Sequence, residues 1–189
     1  MIGQRRFGAH LGRLGRISLL VAGTLAAGRI ASAQTPVSLP DTTQTTTLTA
    51  TVGDQARVTI PAGVTFTVND VASSTTAGAA SVTVANIVLA SATKQLRMSL
   101  QADAASFTPP VGGAATWSAT DVTWNAASWT NATGTAGTLS SSAYNVVGTC
   151  TADAQACSTT GLTFTLGANT SIKRSGNHTL VVRWKLESI

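Results

Sequence analysis

Few residues in this chain have side chains that could do covalent or metal chemistry. Cys150 and Cys157 are the only cysteines, with six residues between them in the turn-rich stretch GTCTADAQAC. An even cysteine count in a chain with export signals reads as a structural disulfide. A redox pair favours C-x-x-C spacing, and a zinc site needs further Cys or His ligands nearby. Neither pattern is present. His178 sits beside Gly176 at the start of the last apolar run, and the expected role is a solvated turn residue. A Ser-His-Asp triad would gain support from a G-x-S-x-G elbow, which the sequence lacks. Asp41, Asp54, Asp70, Asp103, Asp121, Asp153 and Glu187 are isolated and mostly near turns. Nothing selects two of them as a glycosidase pair, and no D-x-D-x-D-G calcium loop occurs. The reading is therefore no catalytic residue, no metal site and no cofactor.

Trp117, Trp124 and Trp129 are the remaining candidates. Three flat indoles close in sequence could stack on sugar rings. Their separations are seven and five residues, and odd spacing along a strand sends neighbours to opposite faces. A shared platform needs a turn between them, near Asn125–Ser128. Core packing is the favoured expectation. Polysaccharide binding and an intersubunit contact are the alternatives, the latter because Trp is enriched at interfaces.

The elements that must position these groups read as strands. Leu48, Ala50 and Val52 alternate with threonines, and Val64, Phe66 and Val68 do the same. Val58 and Ile60 lie between them. Val82 and Val84 begin a longer run whose apolar phase shifts at Asn86, which predicts a β-bulge or a strand buried on both faces. Leu96, Met98 and Leu100 form another alternating set, as do Leu162, Phe164 and Leu166. The last set is Leu180, Val182, Trp184 and Leu186, with Trp184 expected in the core. Turn signals separate the runs: Asn69-Asp70, Pro109-Pro110, Gly134 with Gly137, Gly167, and Ser175-Gly176-Asn177. No clear helical period appears. About eight to ten short strands argue for an all-β fold, an immunoglobulin-like antiparallel β-sandwich, with a closed barrel as the alternative.

Ahead of these runs lies a targeting segment. Arg5, Arg6, Arg13 and Arg16 form a positive region, ISLLVAGTLAA (17–27) is a short apolar one, and Ala31-Ser32-Ala33 is an A-x-A site. This is a signal peptide over residues 1–33, cleaved after Ala33. The apolar stretch is shorter than the roughly 20 residues a spanning helix needs. Arg5-Arg6 is not followed by the usual twin-arginine pattern, so general secretion is expected. Residues 34–47 form an extended leader, and 48–189 form the sandwich domain. The expected location is secreted, periplasmic or cell-surface, with no membrane span in the mature chain and no lipid or cell-wall anchor. Asn131, Asn169 and Asn177 head N-x-S/T triplets. The leader is of bacterial type, so no glycans are expected.

Five of the 12 basic residues fall in the signal, so the seven that remain balance the seven acids. The mature chain is formally neutral, which excludes the surplus of Lys and Arg that nucleic-acid binding requires.

The closing stretch SGNHTLVVRWKLESI (175–189), with LRMSLQADAASFTPP (96–110), resembles small secreted bacterial β-sandwich proteins without an assigned function. Gly176 followed by Leu180–Leu186 is also similar to the closing strand of chaperone–usher-type pilins, although Ser188 stands where those have an aromatic. Trp184-Lys185-Leu186 resembles one of the two Trp-x-Leu elements of WxL surface domains. These resemblances imply a secreted sandwich.

Together the residues point to a non-catalytic, exported structural subunit, with self-association or another surface protein as partner. The alternative is a carbohydrate-binding or adhesive module using Trp117–Trp129. Thr45–Val52 is expected to be the first strand of its own sandwich. The competing reading is that it is donated to a neighbouring copy.

Overall fold

Branched residues alternating with polar ones become antiparallel strand through most of the chain. The computed structural model describes residues 36–112 and 115–189, so the signal peptide and its cleavage site lie outside the described residues. Eleven strands are formed there: β1 Gln55–Thr59, β2 Thr75–Thr76, β3 Ala80–Val88, β4 Leu96–Ala102, β5 Val122–Trp124, β6 Ala132–Gly134, β7 Gly137–Thr138, β8 Asn145–Cys150, β9 Cys157–Leu162, β10 Phe164–Leu166 and β11 Val182–Ser188. The only helical element among the described residues is a 3₁₀ turn at Ala119–Asp121. Its Asp121 carboxylate accepts the Ser118 N–H at 2.8 Å and the Ser118 hydroxyl at 3.1 Å.

The strands make three antiparallel sheets, ordered β1-β3-β9, β2-β10-β5-β7 and β11-β4-β8-β6. Among the described residues each is open at both edges, so the architecture is all-β and sandwich-like rather than a closed barrel. Only Thr163 separates β9 from β10, so one run of chain serves two sheets. Asn125 holds this switch. Its side-chain oxygen accepts the Thr163 N–H at 2.9 Å, and its amide donates to the Gly161 carbonyl at 3.0 Å.

A single cluster forms the core. Val82 and Val84 of β3, Met98 and Leu100 of β4, Val147 of β8 and Leu162 of β9 are fully enclosed within it. Their alternation is what the sequence led us to expect, because a pleated strand sends every second side chain to the same face. The phase shift at Asn86 is a bulge. Arg57 pairs with Ala85 and Gln55 with Val88, so three steps on β3 face two on β1, and Asn86 adopts a φ of 52°. Asn tolerates that left-handed conformation better than most residues.

Two expected strands do not form. Among the described residues, 45–52 belong to no sheet, and Leu48 and Val52 stand 91% and 67% exposed. The first strand therefore starts at Gln55, and the reading of Thr45–Val52 as an internal strand is corrected. Val64, Phe66 and Val68 do turn inward against the core while Thr65 and Thr67 face out, yet among the described residues the segment pairs with no other strand. Alternation decides which face is apolar. A strand also needs a neighbour to take its N–H and C=O groups.

Residues Thr49–Ile189 form one compact unit. Within the described leader, the Asp41 carboxylate accepts hydrogen bonds from the hydroxyl and N–H of Thr43 and from the Gln44 amide. Those bonds, the Thr43 hydroxyl first, hold its pKa below the usual carboxylate value.

Candidate functional site

The two cysteines are joined. Cys150 ends β8 and Cys157 begins β9, so the disulfide ties the β11-β4-β8-β6 sheet to the β1-β3-β9 sheet. Both residues are buried. Main-chain bonds flank the bridge: Thr151 N–H donates to Asn131 O, and Thr130 and Ser158 exchange hydrogen bonds. The role is a staple across two sheets.

The three tryptophans separate. Trp117 and Trp124 are buried, at 5% and 3% exposure. Their indole N–H groups donate to the carbonyls of Gly167 and Thr135, each at 2.9 Å. Trp129 is half-buried, and its indole nitrogen is enclosed without a hydrogen-bond partner among the described residues. No two of the three share an exposed face. Glycines supply their beds: a Cβ at Gly137 would overlap the Trp124 ring, and one at Gly148 would lie 3.1 Å from the Trp129 ring. Gly137 appeared in the sequence only as a turn signal.

His178 is half-buried rather than solvated. Its Nδ1 lies 2.9 Å from the Thr116 hydroxyl, and its ring stands edge-on to Trp117 with centroids 5.1 Å apart. Among the described residues no three His, Cys, Asp or Glu side chains gather as metal ligands would.

The charged residues serve the sheet surface. On adjacent strands Glu187 sits opposite Arg97, and the Arg97 guanidinium reaches its carboxylate at 2.8 Å. Lys185 binds the other oxygen of Glu187. Hydrogen bonds from Lys185, then Arg97, lower the Glu187 pKa. Asp103 pairs with Arg183, and that hydrogen bond lowers its pKa as well.

An open groove of about 960 Å³ is lined by apolar side chains together with polar ones, among them Lys173, Arg174 and His178. Val64, Phe66 and Val68 line one side, and Leu180, Val182 and Trp184 line another. Side chains of β4, β5 and β10 contribute to its lining. Trp184 is thus half-buried at a groove and not enclosed in the core as the sequence suggested. The physical reason is its strand's position: β11 is the last strand of its sheet. No reading of the sequence had placed residues 64–68 and 180–184 around one cavity, since more than a hundred residues lie between them.

Comparison with protein-family models, with curated proteins and with solved structures finds no match to this chain.

Proposed function

We propose that the chain is an exported β-sandwich that acts without catalysis as a cell-surface or extracellular structural subunit. The observation that carries this reading is the Cys150–Cys157 bond between two sheets. Structural disulfides persist in oxidising compartments outside the cytosol, which agrees with the signal peptide read from residues 1–33. Several of the chemically capable side chains singled out above have structural partners. Asp121 closes a 3₁₀ turn, His178 packs on Trp117, and Glu187 and Asp103 pair with basic neighbours. A carbohydrate-binding module built on Trp117–Trp129 would need indole faces in solvent, and two of the three are buried. An immunoglobulin-like sandwich is part of the proposal. Its support is the antiparallel pairing of strands distant in sequence, as in β11-β4-β8.

Cell fractionation with protease treatment of intact cells tests the reading. The expected result is protein outside the cytoplasm, starting at Gln34 and resistant to thiol alkylation until reduced. Cytoplasmic protein that retains Met1 and has free thiols would overturn it.

A further inference from the structure

Around the groove, backbone stands unpaired on two sides among the described residues. Val64–Val68 is extended, faces inward at every second residue and makes no backbone hydrogen bond among the described residues. Among the described residues β11 pairs with β4 alone, so its other edge is open. Exposed N–H and C=O groups of this kind accept an added strand. Each side also presents an apolar triplet at every second residue: Val64, Phe66 and Val68, and Leu180, Val182 and Trp184. The groove has the chemistry of a sandwich that lacks one strand.

The same chain carries a segment with the complementary deficiency. Leu48, Ala50 and Val52 repeat the two-residue spacing over five residues, a strand length of about 16 Å. Threonines at 45, 46, 47, 49 and 51 favour extended backbone. Yet the segment belongs to no sheet, and its two large apolar side chains are exposed. Two residues, Gly53 and Asp54, tether Val52 to the start of β1, whereas the groove residues begin at Pro61, beyond the end of β1. A neighbouring copy has no such tether. The formally neutral mature chain also lacks the net charge that would drive copies apart.

We propose that Thr45–Val52 of one copy fills the groove of a second copy, pairing with the open edge of β11 and burying Leu48 and Val52 against Trp184 and Phe66. The proposal deepens the structural-subunit reading and rests on it, naming the partner as the chain itself. Because donor and acceptor are different surfaces, the contact runs head to tail and propagates as a ring or filament.

The test uses the full mature chain, its native disulfide intact. Light scattering after size exclusion should show oligomers that grow with concentration. Leu48→Asp with Val52→Asp should abolish them and leave the circular dichroism of the fold unchanged, because both side chains are exposed in the single chain. A mixture of Ala50→Cys and Val182→Cys proteins should form an intermolecular disulfide between the two variants. Full-length protein that stays monomeric at high concentration overturns the proposal, as do oligomers that survive the double aspartate variant. If Ala50→Cys and Val182→Cys in one chain cross-link within a monomer, the segment fills its own groove and donation is wrong. Location is measured separately. An exported monomer refutes donation but not export, and cytoplasmic protein refutes the export reading whatever its oligomeric state.

Discussion

β4 and the Leu48–Val52 segment carry the same alternating apolar pattern and meet opposite fates. β4 has β11 on one side and β8 on the other, and Met98 and Leu100 are fully enclosed. Even Ser99, on the polar phase of β4, is buried at 2% exposure. Among the described residues Leu48–Val52 has no strand beside it, and Leu48 remains 91% exposed. The difference lies in neighbours rather than composition. A pattern specifies which side of a strand is apolar, and adjoining chain decides whether that side is covered. β11 and Val64–Val68 sit between these extremes, each lining a groove that is open to a further strand.

Truncation should break the comparison most sharply. Met98→Ala removes a fully enclosed side chain and is expected to cost about 2–5 kcal/mol in denaturant unfolding. Leu48→Ala in the monomer should cost less than about 0.5 kcal/mol, as exposed substitutions do. A similar loss at both sites would mean that Leu48 is buried in solution.

Removing the staple comes next. Replacing Cys150 and Cys157 together by Ala frees the unfolded chain from a short loop and should lower stability by about 2–3 kcal/mol. The urea midpoint should fall and the slope of the transition should change little. No shift in midpoint would show that the loop is held by its backbone hydrogen bonds alone.

Trp184 tests the intermediate case. A fully buried Trp→Ala typically costs about 3–5 kcal/mol, but Trp184 is half-buried at the groove, so about 2 kcal/mol is expected in the monomer. Under conditions that favour assembly the loss should be greater, because the donated strand covers the ring. Equal losses in both conditions would remove Trp184 from the assembly contact.

The smallest expected effect is electrostatic and lies where β4 meets β11. Glu187 has a carboxyl pKa below its ordinary value of 4.5, owing to hydrogen bonds from Lys185 and Arg97. A group whose pKa is lowered by folding contributes stability above its unfolded pKa and loses it as pH falls through the folded one. Stability should therefore decline on acidification below about pH 4.5. Glu187→Gln should flatten that part of the profile, with a small loss at neutral pH because the pair is partly exposed. An unchanged acid profile would assign the pH dependence to other carboxyls, with Asp103 beside Arg183 the first to examine.

The sequence by itself determined the class of structure and much of its inner face. Period-two alternation at Val82–Val84, Leu96–Leu100 and Leu162–Leu166 identified residues that are buried, because strand geometry is local and repeats every second residue. The phase break at Asn86 marked the bulge, and the cysteine count marked the disulfide. Tertiary structure alone decided which alternating segments found partners. Leu48–Val52 and Val64–Val68 read as strands and are unpaired, since pairing depends on chain far away in sequence. The three tryptophans likewise went to separate places because Gly137 and Gly148 leave room for indole rings and Gly167 and Thr135 offer carbonyls to them. The groove is the clearest such case. Its walls come from residues 64–68 and 180–184, and only folding brings them to one cavity.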